Sequence, residues 1–189
     1  MATIDTGNYM LSGADLFWAA TPGLELVASS GFRTSSRSLG NIISPSITPE
    51  ITFVDHWVSS KGKRVKDKTV ANTSSITISF TFDEINQDNL ARFFVGDQSA
   101  SEISVLTDTL AEGCGQLVIE TDIGKDLVYQ IPKGTLRPDG ALEFSGEDWS
   151  TGGMQLEVLQ LTETDCENAT VWSEFSSAKF GKISTKTLS

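Results

Sequence analysis

The chain has 189 residues, of which 25 are acidic and 14 basic, so its formal net charge is −11. This length suits one domain, and the excess of carboxylates argues against nucleic-acid binding, because Lys and Arg supply most of the affinity for phosphates. Cys114 and Cys166 are too few for a disulfide framework and lack zinc-type spacing.

These features lead to expectations about the compartment. The two thiols are expected to be free, as in a protein made in a reducing cytoplasm. The first residues lack a basic segment followed by an apolar run, so no signal peptide is expected. No apolar run reaches the roughly 18 residues of a membrane span, so membrane insertion is not expected.

Short runs that alternate apolar residues with Ser and Thr predict many β-strands. In chain order these strands are Ala14–Ala20, Leu24–Ser29, Ile47–Val58, Thr69–Phe82, Glu102–Thr107, Gln116–Thr121, Leu127–Ile131, Ala141–Phe144, Met154–Leu161 and Thr170–Phe175. Turns are predicted at Asp122–Gly124, Pro132–Gly134 and Pro138–Gly140. Residues 1–175 then form one domain, and the polar tail 176–189 is expected to be mobile until a neighbour orders it.

The strand Thr69–Phe82 has two different faces. Successive side chains of a strand point to opposite sides of the sheet. One side therefore carries Ile76, Ile78, Phe80 and Phe82, and the other carries Ser75, Thr77, Ser79 and Thr81. A sheet with one apolar and one wet face is typical of antiparallel folds.

One helix is predicted, over Gln87–Val95. Asn86 is a good N-cap because its side chain can accept from the free amides of the first turn. Ile85 and Leu90 occupy the two positions of a hydrophobic staple, and Leu90 starts an apolar stripe that continues with two phenylalanines. Gly96 is expected to end the helix. The fold is therefore mainly β, an antiparallel sandwich or barrel with one short flanking helix.

Catalytic chemistry is not predicted. The single histidine, His56, is followed and preceded by strand residues, so it does not form a dyad with Asp55 by adjacency. No metal set can be built around it. Cys114 lies between two glycines without a nearby cation, and Glu112 is expected to raise its pKa. No nucleophile elbow, phosphate-binding loop or dinucleotide motif is present, so no catalytic residue, cofactor or metal is assigned.

The segment Lys61–Lys68 is strongly basic, with Lys61, Lys63, Arg64, Lys66 and Lys68. It could be a nucleic-acid patch or a solvated hairpin tip. We favour a third interpretation, in which it complements an acidic surface on an identical neighbour. A heterologous contact of this kind closes into a ring or continues as a filament.

Two stretches resemble the major tail tube proteins of siphophages. The first joins Leu39–Asn41, Pro49–Phe53, a basic loop closing at Lys66–Lys68, and Ile78–Gly96; the second is Arg137–Trp149 followed by the strand Met154–Leu161. The resemblance implies a non-enzymatic structural subunit that forms hexameric rings, each copy giving strands to a barrel shared between subunits. The rings stack into a virion tail tube that holds the tape measure protein and passes the genome DNA during ejection.

The resemblance also implies where residues lie. The channel-facing side chains would be Thr48, Glu50, Thr52, Ser75, Thr77, Ser79, Thr81, Gln155 and Glu157. They would leave the channel without phosphate-binding cations, so that double-stranded DNA passes without sticking. The basic loop would reach the next subunit or ring, with Trp57 as an anchor at its base. Two alternatives remain: a β-sandwich module for binding, adhesion or capsid decoration, and the tube of a contractile or type VI system.

Overall fold

The structure is a computed structural model that describes residues 12–24, 32–107, 110, 112–121 and 125–187. Its strands are β1 (Ser12–Ala19), β2 (Arg37–Ser60), β3 (Lys63–Phe82), β4 (Asp97–Ser99), β5 (Glu102–Ser104), β6 (Glu112–Thr121), β7 (Lys125–Glu143), β8 (Thr151–Val158) and β9 (Lys182–Thr187). Its helices are α1 (Phe32–Ser35), α2 (Gln87–Phe93), a 3₁₀ turn (Glu163–Asp165) and α3 (Ala169–Phe175). In this part of the chain no helix is long and apolar enough to cross a membrane.

Six strands pair in an antiparallel circuit that returns on itself. The order is β6-β1-β2-β3-β8-β7, and β6 also pairs with β7. Strand β9 extends the sheet from β7, while β4 and β5 form a separate small hairpin. The prediction of a mainly β, antiparallel fold is confirmed.

We call this circuit of six strands the body, and the hydrophobic core lies inside it. All six strands contribute buried apolar side chains, among them Leu16, Phe82, Leu117, Ile131 and Leu156. Helix α2 adds Phe93, whose ring lies 6.3 Å from that of Phe82. A second cluster, Phe32, Cys114, Leu161, Val171 and Phe175, packs α1 and α3 onto the outside of β6. The hydrophobic core of the body is therefore complete within a single copy of the chain.

Helix α2 confirms the predicted N-terminus. The Asn86 side chain accepts a hydrogen bond from the Asn89 backbone N–H at 2.9 Å. The helix ends at Phe93, two residues earlier than predicted, and Val95 rather than Gly96 takes the left-handed backbone conformation (φ 47°). The buried Asn89 amide donates to the carbonyls of Leu39 (2.8 Å) and Glu84 (2.9 Å), which ties α2 to β2.

The predicted strand Thr170–Phe175 is wrong, because this segment belongs to α3. The Asn168 side chain caps the helix by accepting from Thr170 N at 2.9 Å and Val171 N at 3.1 Å. Val171 and Phe175 are both buried, and their spacing of four is helical. The β-branched residues suggested a strand, but the cap and this spacing decided otherwise.

Strand β7 is longer than predicted because it joins two predicted strands. The turn expected at Pro132–Gly134 is wrong, since these residues lie inside β7, which pairs with β6 and β9 in its first half and β8 in its second. Pro138–Gly140 is a bulge within β7, where the register shifts between Pro138 and Leu142. The turn predicted at 122–124 and nearly all of the strand predicted at 24–29 lie outside the described residues.

The remaining strand predictions differ mainly in their ends. β1, β3, β6 and β8 occupy their predicted segments, β2 begins ten residues before the predicted Ile47, and β5 is shorter than predicted. In the tail, residues 182–187 pair with β7 as β9. This part of the tail is therefore ordered by its own chain rather than by a neighbour.

Candidate functional site

Strands β2 and β3 form a hairpin that runs far beyond the body. β8 pairs with β3 only over Ile76–Phe82, and β1 pairs with β2 only over residues 37–42. We define the arm as residues 50–75, the part of the hairpin past these partners. Its residues are exposed wherever burial is described, apart from the half-buried Ser75.

The arm turns at Lys61 and Gly62. Their backbone angles φ are 49° and 79°, and Ser60 pairs with Lys63 across the turn. Two consecutive positive φ values are typical of a two-residue type I′ turn, whose twist matches that of the flanking strands. The predicted basic loop is therefore the end of a long β-hairpin, with Lys63, Arg64, Lys66 and Lys68 on its returning strand.

All nine side chains predicted to face a channel share one face of the sheet. Residues directly opposite each other on paired strands point to the same side. The pairs are Thr48 with Thr77, Glu50 with Ser75, Thr77 with Glu157, and Ser79 with Gln155; Thr52 and Thr81 follow by alternation on β2 and β3. We call this surface the polar face. That it lines a channel stays a prediction.

The opposite side of the same strands is the apolar core. Ile78 pairs with Leu156 and Phe80 with Met154, and all four are buried. The alternation predicted for β3 is therefore correct over its body segment: Ile78 and Phe82 are fully buried, while Thr77, Ser79 and Thr81 are partly exposed. One strand thus separates the core from a wet surface.

Further residues belong to the polar face, among them Ser46, Thr73, Thr135 and Arg137. Ser46 pairs with Ser79, Thr73 with Thr52, Thr135 with Glu157, and Arg137 with Gln155. Ser46 could have been found by extending the alternation of β2 by two residues. Thr135 and Arg137 were missed because the sequence predicted turns on either side of them rather than one continuous strand β7.

Arg137 corrects the expectation that this face has no cations. Its Nε donates to Gln155 Oε1 at 2.7 Å, and its Nη1 lies 3.1 Å from Glu157 Oε2. The guanidinium is therefore paired with a carboxylate of the same face. Because Glu50 also lies there, the formal charge of the polar face remains negative, and the arginine is not free to grip a phosphate.

The arm exposes apolar side chains on both of its faces. On the side that continues the core, Ile51, Phe53 and Trp57 are 54%, 61% and 47% exposed. On the side that continues the polar face, two cross-strand valine pairs are exposed, Val54 with Val70 and Val58 with Val65. A two-stranded hairpin is marginally stable by itself in water, and in the single copy these apolar side chains of the arm are in contact with water.

The basic residues of the arm are not all equivalent. Lys66 Nζ lies 2.7 Å from Asp55 Oδ1, and Thr69 donates to the same oxygen at 2.8 Å. The Lys66 hydrogen bond, followed by that of Thr69, lowers the pKa of Asp55. Among the described residues, Lys61, Lys63, Arg64 and Lys68 have no acidic partner in ion-pair range, so the unpaired charge concentrates at the turn.

The described residues offer little catalytic chemistry. They contain no group of three or more His, Cys, Asp or Glu side chains placed to hold a metal ion. His56 is exposed on the arm, with Nδ1 2.6 Å from Asp67 Oδ1. Cys114 is fully buried, and its burial raises the thiol pKa to about 11, against a smaller opposing effect of a backbone hydrogen bond to Leu24. The carboxylate that adds to this rise is Glu167, not Glu112 as predicted.

Comparison with known proteins gives one family match. A search of curated proteins returned no significant match. A family model described as "Protein of unknown function UCP028589" matches residues 24–119, just over half of the chain. The matched part contains the whole hairpin of β2 and β3, helix α2 and most of β6. The chain therefore belongs to this family, Protein of unknown function UCP028589.

Proposed function

We propose that this protein is the structural subunit of a phage tail tube, in which hexameric rings stack into a hollow conduit for the tape measure protein and the genome. The observation that carries this proposal is the course of β2 and β3. In the body they present a polar face, and beyond it they project as an unpaired arm that exposes apolar residues on both sides.

The free edges of the arm support assembly through the sheet. The outer edge of β2 beyond Ile42 and the outer edge of β3 before Ile76 have no strand partner among the described residues. Unpaired strand edges present rows of backbone donors and acceptors, which invite pairing with another chain. A sheet continued from copy to copy around a ring removes these edges, as closure of a barrel does.

The chemistry of the polar face supports a conduit. Hydroxyl and amide groups carry no cationic charge, which supplies most of the affinity for phosphates, and the two glutamates repel them. The single arginine on this face is held by Glu157 and Gln155. With a wall of this kind, DNA would move past the subunits with little adhesion. The tape measure protein would occupy the same space before ejection.

The exposed apolar side chains of the arm support an interface with a second copy of the chain. Ile51, Phe53 and Trp57 continue the line of core residues Ile78 and Leu156. Covering these side chains would contribute about 25 cal/mol of free energy for each Å² of apolar surface removed from water. A second copy of the chain is always present where this protein accumulates, and it can supply that cover.

Electron microscopy of the purified full-length chain tests the proposal. Hollow tubes with a stacked-ring repeat are expected in negative stain. Replacement of Lys61, Lys63, Arg64, Lys66 and Lys68 by Ser is expected to leave folded monomers that form no tubes, whereas Lys66→Ser alone, whose charge Asp55 already neutralises, is the matched control. A wild-type chain that stays monomeric at high concentration would end the proposal.

A β-rich binding or capsid decoration module is the second candidate. The observation that favours it is the exposure of two aromatic side chains in one loop, Phe144 and Trp149, at 72% and 84%. Such a module would remain discrete particles in the microscope, without a stacked-ring repeat. Tubes of contractile or type VI systems would pass the same test as a siphophage tube, and the presence of a sheath around the tube distinguishes them.

A further inference from the structure

The end of the arm lacks an electrostatic partner within its own chain. Lys61, Lys63 and Arg64 surround the turn, and among the described residues none of them reaches an acidic group. Val58 and Val65 form an exposed apolar pair beside these charges. The surface that covers the end of the arm should therefore be acidic and should offer apolar contact area.

Five acidic groups of the described body are already in ion pairs. Asp88 pairs with Arg37, Glu157 with Arg137, and Glu174 with Lys182. Lys133 lies 2.9 Å from Glu112 and 3.1 Å from Asp165. These carboxylates would have to give up a cation of their own chain before they could bind the arm of another.

One loop of the body has the required chemistry. We call residues 143–149 the acidic loop; it carries Glu143, Glu147 and Asp148 together with Phe144 and Trp149. None of its three carboxylates forms an ion pair with a described residue. No Lys or Arg occurs in the sequence from residue 138 to residue 178, so nearby sequence offers no cation either.

Local hydrogen bonds give the acidic loop a defined shape. The Ser145 hydroxyl accepts from Glu147 N at 3.2 Å and Asp148 N at 2.9 Å, and Asp148 Oδ1 accepts from Trp149 N at 2.8 Å. Phe144 and Trp149 are the most exposed aromatic side chains of the described residues. An exposed Trp beside carboxylates can stack on a cation as well as supply apolar area.

The arm's turn and the acidic loop lie at opposite ends of one strand. Lys63 begins β3, and Phe82 at its far end pairs with Gly152, three residues after Trp149. The 20 residues of β3, at roughly 3.3 Å each, separate these ends by about 60 Å. A chain therefore cannot bring its own turn to its own acidic loop.

We propose that the basic end of the arm docks on the acidic loop of a second copy, with Trp149 against the cationic side chains. This inference rests on the proposed function, because it names the surface that receives the arm in the assembly. The two surfaces are different and lie at opposite ends, so the contact is heterologous and head-to-tail. Such contacts propagate from copy to copy in rings and filaments.

Charge reversal tests the contact. The first variant has Lys61→Glu, Lys63→Glu and Arg64→Glu, and the second has Glu143→Lys, Glu147→Lys and Asp148→Lys. Each alone places like charges together and is expected to weaken self-association on the order of a hundredfold. One chain that carries all six changes restores opposite charges and is expected to recover tubes, as is an equal mixture of the two variants. Sedimentation velocity and negative-stain microscopy give the readouts, and circular dichroism checks folding.

A matched control reverses three other exposed acids. Asp97→Lys, Glu102→Lys and Glu163→Lys change the net charge equally, but they should neither weaken wild-type assembly nor restore the first variant. If the wild-type chain forms tubes and both triple reversals assemble normally, or if the six-change chain fails to recover, the docking is wrong while the proposed function stands. A wild-type chain that stays monomeric overturns both.

Discussion

The exposed apolar side chains of the arm make the sharpest test of the assembly argument. The double variant Ile51→Ser, Phe53→Ser removes two apolar side chains from the face of the arm that continues the core. In the isolated chain more than half of each is in contact with water. Because less than half of each side chain is covered in the isolated chain, and complete burial contributes roughly 1.5–3 kcal/mol per side chain, removing both should cost the folded monomer about 1–2.5 kcal/mol.

The expected loss in assembly is larger. Complete burial of an Ile or Phe side chain contributes roughly 1.5–3 kcal/mol. Because 54% of Ile51 and 61% of Phe53 are exposed, covering both contributes about 2–4 kcal/mol for each arm. Since about 1.4 kcal/mol corresponds to a factor of ten, the association constant should fall on the order of a hundredfold, and tubes should disappear at concentrations where wild type assembles.

Two measurements on the same samples separate these effects. Urea unfolding followed by tryptophan fluorescence gives the free energy of unfolding of the dilute chain, and a concentration series in sedimentation velocity gives the association. Leu156→Ala is the control with the opposite pattern, because Leu156 is fully buried between Ile78 and Leu136 and its truncation should cost about 2–5 kcal/mol of stability.

Two results would contradict the reasoning. If the double variant loses more than about 3 kcal/mol as a monomer, the arm packs on its own body. If it assembles at wild-type concentrations, the apolar side of the arm is not an interface.

Three further predictions concern the body. Asn89→Ala removes the buried amide that binds two backbone carbonyls and should lower the free energy of unfolding by about 2 kcal/mol in urea, while Asn41→Ala, at an exposed contact, should change it little. Burial raises the pKa of the Cys114 thiol from 9.0 to about 11. The buried thiol therefore contributes its full stability below pH 9, and this contribution is lost as pH rises through 11. Cys114→Ala should flatten the fall in the free energy of unfolding between these pH values, and an unchanged slope would contradict the raised pKa. Gly153→Ala would place a Cβ 2.0 Å from a backbone carbonyl of the β7 bulge and should cost about 1–3 kcal/mol in thermal unfolding, whereas Gly146→Ala, with open space around it, should be neutral.

Arg137 changes how the polar face should be understood. A wall without any cation was expected, but the structure pairs this arginine with Glu157 and Gln155. For the residues of the polar face itself, the relevant property is therefore the absence of an unpaired cation. Farther along the same side, Lys68 on the arm lies opposite His56 and has no acidic partner among the described residues. Partly exposed ion pairs contribute little stability, so the pair matters more for the charge presented by this face than for holding the body together.

Local signals in the sequence determined the elements whose structure depends on near neighbours. The period-two alternation of Ser75–Phe82 predicted both faces of β3, because side chains of a strand alternate whatever lies beyond it. Asn86 predicted the start of α2, because a cap acts on amides only two or three residues away. The acidic composition and the basic segment Lys61–Lys68 were also visible at this level.

Tertiary structure decided features that depend on distant partners. β7 runs through Pro132 because β6, β8 and β9 pair with successive parts of it, and Thr170–Phe175 became helical because Val171 and Phe175 pack into the cluster around Leu161. Pairing with β8 placed Arg137 on the polar face. The sequence also could not reveal that the arm's turn and the acidic loop stand at opposite ends of β3, because strand register is set by contacts between residues far apart in the chain.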